Sequence, residues 1–98
     1  MQRRRRLSPQ ALLLLDALAA RPADWQYGLE LAHVTGLQSG SLYPILIRLA
    51  DRGLLESRWL EPSEPGRPAR HAYRASAAGL KALVEAQAAE RTVREALA

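Results

Sequence analysis

The chain has 98 residues and no cysteine, which excludes a disulfide framework and a thiolate metal site and suits a reducing, cytoplasmic interior. At this length it is one domain that buries roughly 60–70% of its unfolded surface, so its core is thin and burial against a partner would add to it. The net charge of +4 is unevenly placed: residues 1–6 carry +4, 7–37 carry −2, 38–75 carry +2 and 76–98 carry none, so an anionic partner would meet the N-terminus and the middle of the chain rather than its end.

Residues 1–7 form a basic arm in which Arg3 to Arg6 precede any periodic pattern. The run reads either as a solvated tail or as a flexible arm that touches phosphates or enters a minor groove. MQRRRR followed by ALLLLDALAA imitates a signal peptide, but Asp16 interrupts the apolar stretch and Pro9 marks a helix start. No apolar run reaches the length of about 18 residues that a membrane helix needs. Ser8 as cap and Pro9 as first helical residue predict a helix to about Ala20. It is apolar nearly all round, which predicts two buried faces, one of them against a second subunit.

A connection from Arg21 to Trp25 leads to a short helix that opens at Asp24 or Gln26 and runs through His33. Trp25 and Tyr27 read as packing residues, or else as an aromatic surface for a planar ligand. Ala32, Gly36 and Leu42 have the spacing of a helix-turn-helix: a small residue for close approach, a glycine for φ > 0, and an apolar residue that closes the angle. The next helix enters through Gln38, Ser39, Gly40 and Ser41, which can cap it, with Pro44 near its first turn. Leu42, Ile45, Leu46 and Leu49 form its buried stripe, and Gln38, Ser39, Ser41, Tyr43 and Arg48 face outward.

Gly53 ends that helix, and residues 54–60 alternate as a strand does. Residues 61–70 carry three prolines and a glycine and form a loop, from which residues 70–75 return as a second strand. Two strands with a Pro/Gly tip after a helix-turn-helix make a wing. The fold class is therefore mainly α with a small β-wing, a winged helix-turn-helix in the order helix, helix, helix, strand, strand, helix. Residues 8–75 form this domain, and residues 76–98 form a last helix capped by Ser76. The stripe of that helix is Leu83, Ala86, Ala89, Val93 and Leu97, with Glu90 and Arg94, and Arg91 and Glu95, at helical spacing on the opposite side. A helix of roughly 30 Å is marginal in isolation and must dock. With the doubly apolar first helix it makes a homodimer interface, for which Leu13, Leu14, Leu83, Ala86, Val93 and Leu97 are the candidate residues.

These motifs resemble the DNA-binding domain of PadR-type transcriptional regulators. The resemblance is carried by Tyr27, Gly28, Glu30 and Leu31; by Ser39, Gly40, Ser41, Leu42, Tyr43 and Pro44; by Arg48 and Leu49; and by Gly53 and Leu54. It continues through Gly66, Arg67 and Pro68 at the wing tip, Tyr73, Ser76 and Gly79, about two-thirds of the chain. It implies a dimer in which the last helix of one subunit packs on the first and last helices of the other. It also implies a regulator of transcription, most often a repressor. Some PadR-like proteins bind aromatic or drug-like molecules at the dimer centre with the help of an aromatic residue on the last helix. Residues 76–98 contain none, which leaves an apolar cavity between the first and last helices as the place for a small-molecule inducer.

Double-stranded DNA is the partner expected from the helix-turn-helix, the polar and aromatic opening of its second helix, the basic wing and the dimerising helix together. Ser39 and Ser41, with the helix N-terminus, would hold a phosphate, and Tyr43 a phosphate or a base edge. Gln38 and Arg48 are candidates for base readout or backbone contact, and Arg67 and Arg70 for flanking phosphates or a minor groove. Each arginine has the alternative of a plain solvated charge. No nucleophile elbow, phosphate-binding glycine loop or paired-carboxylate motif is present, and His33 and His71 lie in different elements without acidic partners at ligand spacing. No enzyme, cofactor or metal is expected. The rival reading is a winged helix that binds a protein or small ligand without specific DNA binding, since Glu56, Glu61 and Glu64 dilute the positive wing.

Overall fold

A computed structural model describes residues 6–62 and 64–98. Its elements are α1 (Pro9–Ala19), β1 (Gln26–Tyr27), α2 (Gly28–Thr35), α3 (Ser39–Asp51), β2 (Leu55–Leu60), β3 (Arg70–Ala75) and α4 (Ala77–Leu97). The fold is mainly α with a small β-wing, as the periodicities predict. Of the basic arm, Arg3, Arg4 and Arg5 lie outside the described residues, whereas Leu7 packs half-buried against the core. Ser8 caps α1 by accepting the Ala11 N–H at 3.1 Å, and Pro9 occupies the first turn, where a missing donor costs least.

The sheet departs from expectation. Gln26 and Tyr27, assigned above to the start of a helix, pair antiparallel with Tyr73 and Ala72, so the wing belongs to a three-stranded sheet of order β1-β3-β2. Two residues are too few to show a strand period, and only the tertiary partner reveals the strand. The second helix consequently begins at Gly28. Tyr27 ends the strand and caps the helix, its N–H donating to Glu30 Oε1 at 3.3 Å.

Leu14, Leu15, Leu18, Leu31, Leu42 and Leu46 are fully buried and form the centre of the core. Two interface expectations are corrected here. Leu14 and Leu83 lie in the core of the single chain, because α1 packs against α2, α3, α4 and β3 at once and directs Leu14 into that junction. What α1 leaves outside is Leu13, with Leu12 half-buried beside it.

α3 ends in a Schellman turn. Leu54 N–H donates to Leu49 O at 2.9 Å and Gly53 N–H to Ala50 O at 3.0 Å, with Gly53 at φ +75°. That turn receives α4: Ser76 N–H donates to Leu54 O at 3.1 Å, and Ser76 Oγ donates to Gly53 O at 2.6 Å while accepting the Gly79 N–H at 3.1 Å. Gly79 is required by this approach rather than merely tolerated near a helix start, since a Cβ there would run into the Leu54 carbonyl oxygen. Beyond this anchored first half, every residue from 87 to 98 is exposed. Among the described residues, no helix is long and apolar enough to cross a membrane.

Candidate nucleic-acid interface

α2 and α3 meet through the turn at Gly36, whose φ of +75° ends α2 in the left-handed region, with Gly36 N–H donating to Ala32 O at 2.8 Å. Leu42, Ile45, Leu46 and Leu49 turn inward as predicted. Gln38 is the N-cap residue of α3, but its side chain makes no capping bond. The Gln38 carbonyl takes the N–H groups of Ser41 and Leu42 at 3.0 and 2.9 Å, and the amides of Ser39 and Gly40 precede the first helical hydrogen bond. With Ser39 and Ser41 exposed around them, these amides form a positive, unblocked helix end. Pro44 is the sixth residue of α3, deeper than the first turn where it was expected. Having no N–H, it cannot close the turn on the Gly40 carbonyl.

Tyr43 is 42% exposed and lies over the N-terminus of α2. A Cβ at Gly28 would fall 2.5 Å from its hydroxyl oxygen and 2.7 Å from Cε1, so the absence of a side chain at Gly28 is what admits the ring. At the neighbouring Tyr27, on the face of the sheet away from Tyr73, the Arg70 guanidinium sits over the ring, 3.6 Å from the centroid. Arg70, Arg67, Tyr27, Leu60 and Pro68 then line one recess at the base of the wing tip. Arg67 Nε is 3.3 Å from Glu64 Oε2 in an exposed pair, a contact of the kind a phosphate can displace because such pairs contribute little. Arg48 on α3 and Gln38 at its N-cap are exposed.

Several side chains of this surface escape sequence reading. Trp25 is neither buried packing nor an open platform: Arg58 and Arg74 cover its ring at 4.6 and 4.4 Å, and Arg74 Nε donates to Glu56 Oε2 at 2.5 Å. On the opposite face of the sheet, exposed Trp59 stacks on His71 with centroids 4.6 Å apart and planes 14° apart. Tyr73 tilts against the same imidazole, its hydroxyl 3.1 Å from His71 Nδ1. Burial, and secondarily the nearby Tyr43, push the Tyr73 phenol above its ordinary pKa. Without β1, nothing in the sequence indicates that Trp25 and Tyr27 meet the side chains of β2 and β3.

This geometry matches known regulators. The chain resembles a PadR family transcription regulator from Clostridium difficile with 20% identity and a TM-score of 0.78, over 92% of this chain and 95% of that one. A PadR family transcriptional regulator from Eggerthella lenta aligns with 26% identity and a TM-score of 0.72, over 90% and 80% of the two chains. The S. aureus MepR mutant solved bound to an oligodeoxyribonucleotide aligns with 13% identity and a TM-score of 0.74, over 93% of this chain and 63% of that one. No curated protein matches the sequence. The model of the transcriptional regulator PadR-like family matches residues 23–85, which run from the approach to β1 through the anchored half of α4. The chain belongs to the PadR-like family of transcriptional regulators.

Proposed function

We propose that the protein is a sequence-specific, homodimeric repressor that occupies a pseudo-palindromic operator. The observation that carries this reading is the exposed opening of the recognition helix, where Ser39, Ser41 and Tyr43 stand at the helix N-terminus, together with the two cations Arg67 and Arg70 that share a recess at the wing. The Ser39 and Gly40 amides, with the Ser39 and Ser41 hydroxyls, hold a phosphate, and Tyr43 contacts phosphate or a base edge. Gln38 and Arg48 reach base edges or backbone, while Arg67 and Arg70 grip flanking phosphates or the minor groove. The fold shared with a protein solved on an oligodeoxyribonucleotide supports this docking.

Dimerisation rests on α4. Val93 is 57% and Leu97 81% exposed, Ala86 is half-buried, and Leu13 is exposed on α1. Between α1 and α4 runs a groove of about 710 Å³ whose apolar walls include Leu12, Ala82, Ala86, Ala89 and Val93. A second α4 would fill it and supply the burial that a protruding helix needs. Two recognition helices then enter successive major grooves about 34 Å apart. An inducer, where one acts, would enter the same groove and change the spacing between wings.

Titration into sheared duplex DNA and into the gene's own upstream region, across salt concentrations, tests the reading. Neutralising about six phosphates per dimer gives a log–log slope near −5, with a tighter species on the upstream DNA. A folded dimer that binds neither DNA at low salt would instead be a module for a protein or ligand partner.

A further inference from the structure

The side of α3 opposite its buried stripe is unusual for a helix read as entering a major groove. Its outermost ridge is Gly40, Pro44, Ile47 and Asp51, at spacings of four, three and four, and every member is exposed. The first three carry no hydrogen-bonding side-chain atom. A Cβ at Gly40 would meet nothing within 4 Å, so the ridge is low and open at the end that leads into the groove. Ile47, 54% exposed, is its tallest apolar member. Asp51 is the last residue of the helix, roughly 16 Å along the axis from Gly40, where the helix has left the groove. Arg48 lies beside Ile47, so the ridge is set next to a cation that suits a polyanion and not an apolar protein partner.

An exposed isoleucine on this ridge has a specific counterpart in duplex DNA. The major-groove edge of each base pair is polar except for the C5-methyl group of thymine, which apolar side chains contact. Resting on the DNA-binding reading above, we infer that Ile47 reads a thymine methyl in each half-site, with Pro44 as the adjoining wall and Gly40 letting the helix approach the base edges. The preference for thymine at one position comes from van der Waals contact at Ile47.

The test begins with selection of bound sites from a random duplex pool by the full-length protein. Each thymine of the enriched site is then replaced in turn by deoxyuridine, which removes only the methyl, and affinity is measured for the wild type and Ile47→Ala. One thymine per half-site should lose about fourfold in wild-type affinity, the effect of one buried carbon, and the same replacement should leave Ile47→Ala unchanged. A second variant, Ile47→Asn, should shift the enriched base at that position from thymine toward adenine. Unchanged melting temperatures keep the comparison one of recognition, since the replaced side chain is largely exposed. If Ile47→Ala keeps the wild-type sensitivity at every thymine, or no thymine is sensitive, the inference is overturned while operator binding stands. A pool without any enriched sequence overturns operator binding, and the inference with it.

Discussion

The ring of Tyr43 on α3 occupies the space that a side chain at position 28 would fill, its hydroxyl 2.5 Å from where a Cβ of α2's first residue would sit. Recognition helix and α2 are thus registered by a glycine and a phenol. The phenol is the mobile end of a partly exposed side chain and can swing away into solvent. Gly28→Ala should therefore change unfolding free energy by less than about 1 kcal/mol, since the helix preference of alanine over glycine offsets the displaced ring, yet displace Tyr43 and weaken operator binding. Urea unfolding together with DNA titration separates the two effects, and intact affinity would show that Tyr43 does not act from this position.

The same substitution at Gly79 should behave in the opposite way. There the clashing atom is the Leu54 backbone carbonyl oxygen, held within the Schellman turn and already bonded to Ser76. It has nowhere to go. Gly79→Ala should cost about 3 kcal/mol as an overpacked contact, read as a lower midpoint in urea, with α4 loosened from the α3–β2 turn.

Tyr43→Ala and Arg67→Ala should separate specific from general binding. Tyr43 stands on the recognition helix, so its loss should weaken binding to the operator far more than to random duplex. Arg67 is exposed at the wing and pairs with Glu64 across 3.3 Å, and its loss should weaken both alike and lower the salt slope by about one. Equal effects of Tyr43→Ala on the two DNAs would contradict the assigned docking.

Two substitutions on α4 should fail differently. Val93 is exposed, so Val93→Asp should leave the folded protomer intact and dissociate the dimer on sizing chromatography. Leu83 lies in the core, so Leu83→Ala should cost about 2–5 kcal/mol of stability before any effect on assembly. A Val93→Asp variant that remains dimeric would place the interface elsewhere.

Tyr73 should make stability fall in alkali. Because burial raises its pKa above the ordinary value, the unfolded chain releases this proton first. Its contribution is fully present below the unfolded value of about 10 and is lost as pH rises through the folded one. Urea unfolding across the tyrosine range should show that decline, and Tyr73→Phe should make it shallower.

Much of this molecule is written in local chemistry. Ser8 and Pro9 start α1, Gly36 and Gly53 stop α2 and α3 at φ +75°, and Ser76 starts α4, because caps and left-handed glycines act within a few residues of themselves. The spacing of Leu42, Ile45, Leu46 and Leu49 likewise selects the buried face of α3. Other features depend on partners distant in the chain. β1 exists as a strand only because Tyr73 and Ala72 pair with it, so its two residues read as the start of a helix. An all-round apolar α1 shows that Leu13 and Leu14 are both apolar, but which one is enclosed depends on where α2, α3, α4 and β3 close around it. Gly28 and Gly79 could be placed at helix starts from sequence; that one admits a tyrosine ring and the other a backbone carbonyl was decided by tertiary packing, because close approach is a property of two segments and is encoded in neither alone.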